Sequence, residues 1–172
     1  MAAAGYDFVV VPADVDERLL EGETPAALVR RLAGKKAARI AHDHPRSVVL
    51  GADTVVVCDG VVLGKPADDR EASVMIRRLS GRTHEVLTGV ALRHADRRCD
   101  EVASTRVAFR PLSEGDVAWY VASGEPSGKA GAYAIQGRAS RFVTRIEGSY
   151  SNVVGLPMDV VDRLLHSIGV ST

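Results

Sequence analysis

What this sequence has little of narrows the field first. Its two cysteines, Cys58 and Cys99, lie far apart and lack metal-ligand spacing. They fit a reduced cytoplasmic protein with packed thiols better than a disulfide framework. Charge of neither sign is in surplus: Lys plus Arg is 22 and Asp plus Glu is 22, for a net charge of zero. A general binder of nucleic acid or of anionic membrane surfaces is therefore not expected. No apolar run reaches the roughly 20 residues that span a bilayer. Met1 is followed only by a short Ala run and Gly5, so no signal peptide is read. Internal repeats, low-complexity tracts and linkers are also lacking. The 172 residues, 46% hydrophobic and 26% charged, predict one α/β domain over 1–172 with a real core.

The stretch Ser47-Val-Val-Leu-Gly-Ala-Asp-Thr-Val-Val-Val-Cys58 organises what is there. Its Val and Leu run reads as a strand buried on both faces. Asp53 stands in the middle of it, and a carboxylate there needs a cation, a metal or hydrogen-bond donors beside it. Asp59-Gly60 follows, a strong two-residue hairpin signal between apolar runs. That turn sets Cys58 opposite Val61 and Val57 opposite Val62. Counting back, Thr54 faces Lys65 beside Asp53, before Pro66 stops the ladder. Two readings follow: an acid, a hydroxyl and an amine gathered for chemistry, or a structural ion pair at a sheet edge.

Upstream, Tyr6 to Pro12 predicts a strand, and Ala2-Ala3-Ala4-Gly5 reads as the last turn of a helix with a Gly stop. Asp14, Asp16 and Glu17 form an acidic cluster whose simplest reading is a solvated turn. Thr24-Pro25 opens a helix as N-cap and first position. Val29, Leu32, Ala33, Lys36, Ala37 and Ile40 share one stripe of it. Lys36 is the odd member: its stem snorkels, or its ammonium meets an anion. Arg30, Arg31, Lys35 and Arg39 read as solvent-facing.

Downstream, Asp68 to Leu79 predicts a helix ended by Ser80-Gly81. Thr83 to Leu92 and Glu101 to Phe109 predict two paired strands. Ser113 caps a short helix to Ala122 with Trp119 packed inward. Arg141 to Ile146 predicts a further strand, and a last helix ends near Gly169. His84 and His94 read as structural or surface residues. The connector from Ser123 to Gly137, rich in glycine with Lys129 and Gln136, suits close approach of backbone to a ligand. It matches no Walker or Rossmann spacing. Lys36, Lys65 and Asp53 are the polar residues that break local rules, and Glu17 joins them. Two lysines with two carboxylates suit a polyanion carried with a hard divalent cation, as in phosphoryl chemistry.

Gly51-Ala-Asp-Thr-Val, Gly64-Lys-Pro66, Leu79-Ser-Gly-Arg-Thr-His84, Lys129-Ala-Gly-Ala-Tyr-Ala-Ile-Gln-Gly137 and Gly148-Ser-Tyr-Ser-Asn-Val-Val-Gly-Leu-Pro157 resemble, in this order, the motifs of the Maf family of nucleoside triphosphate pyrophosphatases. The resemblance implies a mixed twisted sheet with flanking helices around a central cleft. It implies cleavage of a nucleoside triphosphate to monophosphate and pyrophosphate, with Mg²⁺ or Mn²⁺. By resemblance, Asp53 accepts the proton of the attacking water, Glu17 and Asp53 hold the metal, and Lys36 and Lys65 bind phosphates. Thr54 and Gln136 match base-selecting positions, in the combination of the subgroup that prefers dTTP and UTP over 7-methyl-GTP. A homodimer is compatible with the family.

Family members begin with a strand and a phosphate-binding Ser-x-Ser-Pro-Arg-Arg loop that leads into a helix, and that segment is not found in these residues. The expectation is a fold short of its first strand and helix, with weaker triphosphate binding and an exposed apolar cleft wall. A form extended by that segment, compared in turnover and melting temperature, tests it. The competing reading is a nucleotide-binding or septum-regulating protein without turnover.

Overall fold

The computed structural model describes Met1 and residues 5–170. The expected helix end at 2–4 lies outside the described residues. The fold is mixed α/β, a five-stranded sheet with flanking helices, in the strand order β2-β1-β3-β4-β5. In chain order the elements are α1 (Pro25–Asp43), β1 (Val49–Cys58), β2 (Val61–Leu63), α2 (Asp69–Leu79), β3 (Thr83–His94), β4 (Arg97–Phe109), α3 (Glu114–Val121), β5 (Val143–Glu147), α4 (Tyr150–Val154) and α5 (Met158–Ser167).

Local chemistry sets the boundaries. Thr24, Asp68 and Ser113 cap α1, α2 and α3, each side chain accepting a backbone N–H of the first turn. Asp116 returns the favour at Ser113, closing a capping box. Asp59 and Gly60 both take positive φ, 50° and 75°, the requirement of the tight turn whose twist matches the strands. Cys58 pairs with Val61 and Val57 with Val62, antiparallel, as the hairpin count predicts.

The ladder stops one pair later, at Val56 with Leu63. The expected facing of Thr54 and Lys65 does not form. The Gly64 carbonyl instead accepts the Gly131 N–H at 2.9 Å, and Pro66 offers no donor to resume pairing. The expected strand over Tyr6 to Pro12 does not form either. Phe8, Val9, Val10 and Val11 are 48%, 86%, 77% and 43% exposed. Branched residues favour extended backbone, but a strand needs a neighbour to pair with, and among the described residues this segment has none. β3 and β4 run further than their apolar pattern predicts, because the hairpin between them turns only at Ala95-Asp96.

By contact the described residues form two compact units: those within Met1–Asp53, Thr88–Ala103 and Gly155–Thr172, and those within Thr54–Leu87 and Ser104–Val154. In the first, β3 is buried on both faces, with side chains alternating between them. Val90 and Leu92 pack with Val160, Val161, Leu164 and Leu165 of α5. Ala91 packs with Ala33 and Ala37 of α1. In the second, Val56, Ile76, Leu79, Val86, Val107, Phe109, Tyr120 and Phe142 share one core. Each fully buried aliphatic there contributes about 1.5–3 kcal/mol over its exposed state.

Trp119 is not the inward residue of α3. That face is Val117, Tyr120 and Val121. Trp119 is 39% exposed, with the Arg141 and Arg138 guanidinium groups 4.8 and 5.8 Å from its ring centroid. Aromatic size pointed inward, but helical phase puts Tyr120, one position on, over the core. His84, by contrast, has the structural role expected of it. It is 2% exposed, and its Nε2 lies 2.9 Å from the Tyr133 hydroxyl.

Candidate active site

In the first unit, α1, β1 and the irregular segment before α1 bring three predicted residues together. Lys36 Nζ stands 2.6 Å from Asp53 Oδ1 and 2.5 Å from Glu17 Oε1. The Asp53 and Lys36 side chains are 11% and 19% exposed, and Glu17 is 46% exposed. Asp53 falls in the half-buried stretch 52–54 of an otherwise buried strand. So a cation does stand beside Asp53, and it is Lys36 from the helix. Burial of the lysine stem lowers the pKa of its ammonium, but the hydrogen bonds it donates to Asp53 and Glu17 outweigh that, and the net shift is upward. Lys36 is thus a permanent cation at neutral pH.

Arg31 is not a solvent-facing residue as expected. Its guanidinium grips Glu23 with contacts of 2.6 and 2.7 Å and donates to the Arg18 carbonyl at 2.9 Å. This ties the chain beside Glu17 to α1. The sequence signal was faint: Arg31 lies one turn ahead of Lys35 on a helix already rich in cations.

Glu17 and Asp53 share one ammonium, so their oxygens are within reach of a single cation. Two carboxylates are the hard-donor complement of Mg²⁺, which takes its remaining ligands from phosphate and water. Among the described residues no group of three or more His, Cys, Asp or Glu forms a metal cage. Glu17 and Asp53 are the two carboxylates this cluster could offer such an ion.

The second unit carries the other predicted residues. Thr54 is half-buried in β1, and Lys65 is exposed just past β2. Gln136 is exposed in a turn between two short 3₁₀ turns, Ala130–Ala132 and Arg138–Arg141. Several contacts hold this loop. Gly131 N–H reaches the Gly64 carbonyl beside Lys65, Ala134 N–H donates to Tyr120 Oη at 3.2 Å, and Arg138 N–H donates to Glu125 at 2.8 Å. Tyr133 lies against His84. Burial lowers the His84 pKa to about 4, so the ring is neutral. Gly131 and Ala132 both have positive φ, 65° and 60°, and a Cβ on Gly131 would lie 2.7 Å from Val56 Cγ2. The sequence marked this segment as a glycine-rich connector with Lys129 and Gln136, suited to close approach of a ligand, but not the contacts that pin it. Glu125 and Tyr120 were not singled out, since one acid and one aromatic ring carry no spacing signal.

The family model for Maf-like protein matches residues 1–168. This chain belongs to the Maf family. A relative from Symbiobacterium thermophilum, named dTTP/UTP pyrophosphatase, is 51% identical over 165 residues, covering 96% of this chain and 85% of its own. The Myxococcus xanthus protein of the same name is 52% identical over 172 residues, covering 99% and 86%. That of Pelotomaculum thermopropionicum is 50% identical over 167 residues, covering 96% and 87%. In this Maf chain the segment 51–55 carries Asp53 on β1, and 129–137 is the pinned loop that ends at Gln136-Gly137. Among the described residues, no helix is long and apolar enough to cross a membrane.

Proposed function

We propose that the chain, with residues 1–172 as one Maf-like domain, hydrolyses dTTP and UTP to the monophosphate and pyrophosphate, clearing nucleotides from the pool. The Lys36 ammonium held between the Asp53 and Glu17 carboxylates carries this reading. It is supported by relatives of that name that match nearly the whole chain.

Hydrolysis breaks the anhydride between the α and β phosphates, and water supplies the new oxygen and the protons. Asp53 accepts a proton from that water. Lys36 exchanges a carboxylate oxygen for a phosphate oxygen as the polyphosphate enters, and its raised pKa keeps it charged while it does so. Lys65 binds a further phosphate oxygen, and Thr54 and Gln136 contact the base. Glu17 and Asp53 would hold a divalent cation, Mg²⁺ or Mn²⁺. When bound, that ion neutralises phosphate charge and polarises the phosphoryl oxygen. The partner is a nucleoside triphosphate rather than nucleic acid or membrane, the assembly a homodimer and the compartment the cytoplasm.

The test is pyrophosphate release with Mg²⁺ over dTTP, UTP, CTP, ATP, GTP and 7-methyl-GTP. Turnover highest on dTTP and UTP, and lost in Asp53→Asn, is expected. Silence on every nucleotide, with binding intact, would replace the enzyme with a nucleotide-binding protein.

A further inference from the structure

We infer that Glu125 is a positioning residue for nucleotide selection. It holds Gln136 in register through the main chain of Gly137 and Arg138. The inference rests on the reading of Gln136 as a base contact.

Gln136 sits at an exposed turn closed by the Gly137 N–H to the Ala134 carbonyl at 3.0 Å. The Glu125 carboxylate grips the chain immediately after it. Glu125 Oε2 accepts the Arg138 N–H at 2.8 Å, and Oε1 lies 3.6 Å from Arg138 Nε. The carboxylate also fills the space where a side chain at 137 would stand: a Cβ on Gly137 would be 2.2 Å from Oε2 and 2.8 Å from Cδ. The backbone of Gly137, φ −102° and ψ −150°, is open to any residue. Glycine is needed there for space, not for conformation.

Both grips on this turn come from one place. Glu125 N–H donates to Ser123 Oγ, whose hydroxyl donates to the Tyr120 carbonyl at 2.6 Å. The Tyr120 hydroxyl receives Ala134 N–H. The C-terminal end of α3 thus anchors residues 134 and 138, on either side of Gln136. An amide that reads a base edge works within a few tenths of an ångström. Discrimination by hydrogen bonding fails when the donor and acceptor are misplaced. Losing the grip at 138 leaves Ala132, Tyr133, Ile135 and Ala139 buried, so selection is lost before the fold.

The experiment measures kcat and KM for dTTP, UTP, CTP and GTP with Mg²⁺, and a melting temperature, for five variants. A hydrogen bond to a charged group is worth enough that Glu125→Ala is expected to raise KM for dTTP about tenfold, with kcat within about twofold. The preference for dTTP over CTP falls by a similar factor. Glu125→Gln keeps an oxygen for Arg138 N–H and restores most of the loss. Gly137→Ala reproduces Glu125→Ala by displacing the carboxylate. The double variant Glu125→Ala/Gly137→Ala is no worse than Glu125→Ala alone, since the clash has gone.

Additive effects in the double variant, or an equal loss of kcat on every nucleotide with a lowered melting temperature, would overturn the proposal. Gln136→Ala separates the two layers. If it abolishes the preference while Glu125→Ala leaves it intact, only the role of Glu125 fails. If Gln136→Ala itself leaves the preference unchanged, the base contact fails and this proposal with it.

Discussion

The Lys36 cluster and the 130–138 loop are assembled on opposite terms. The first gathers charge from regular elements: Lys36 on a helix and Asp53 on a strand, with Glu17 added from an irregular, exposed segment. Its members hold each other by ion pairs, which a charged ligand re-partners at small cost. The second is nearly all irregular backbone, and main-chain hydrogen bonds, buried rings and positive-φ residues hold it. Such a structure keeps its arrangement only while those contacts are intact. Chemistry on a phosphate chain tolerates exchangeable charges, whereas recognition of a base requires fixed geometry. Changes in the charge cluster should therefore be felt in turnover; under the loop, overpacking should be felt in folding, and loss of the Glu125 grip in selection.

The largest effect is expected at the centre of the cluster. Asp53→Asn removes the proposed proton acceptor and should lower kcat by about 10²–10⁴-fold, with a melting temperature near that of the parent. Lys36→Met leaves two carboxylates facing each other with no shared cation. A loss of about 10²-fold in kcat/KM for dTTP is expected from the missing charge-assisted contacts. Retained turnover in Lys36→Met would show that Lys36 only screens the acids.

The loop answers in stability. Gly131→Ala puts a side chain at φ 65° and 2.7 Å from Val56. Strain and overpacking together should cost on the order of 3 kcal/mol. In a chain of this size that lowers the melting temperature by roughly 6–12 °C, and an unchanged melting curve would refute the packing argument. His84 adds a pH dependence. Its folded pKa is about 4, against an ordinary 6.5, so the unfolded chain takes up the proton first as pH falls. The contribution is complete above about pH 6.5 and is lost towards pH 4, on the order of 3 kcal/mol in all. The melting temperature of His84→Gln should fall less than that of the parent between pH 7.5 and 4.5. The smallest effect is expected at Val9, 86% exposed. Val9→Thr should shift stability by less than about 0.5 kcal/mol.

What the sequence revealed follows the same division. Caps, the Asp59-Gly60 hairpin and the need of Asp53 for a cation are short-range facts, and each is present in the structure. Which cation would answer was a tertiary question. Counting residues along the hairpin set Lys65 opposite Thr54, and that facing does not form: the ladder ends at Val56 with Leu63, and the Gly64 carbonyl accepts the Gly131 N–H from far along the chain. Tyr6 to Pro12 misled for a related reason: β propensity is legible in one segment, while pairing requires a second. Glu125 was invisible because its role depends on a missing side chain at 137 rather than on any motif of its own.

Beneath Lys36 the first unit has a feature that works at a distance. A Cβ on Gly51 would lie 2.5 Å from the Ala33 carbonyl oxygen, and one on Gly89 would lie 2.2 Å from that of Val29. Helix α1 therefore rests its own backbone on β1 and β3, with two glycines as the bearing surface. The span that Lys36 must cross to Asp53 is set by that seat as much as by lysine's length. A single methyl at either glycine would jack the helix off the sheet and carry the ammonium with it. Among inactive variants of this protein, residues that never touch a nucleotide would thus count as part of its catalytic inheritance.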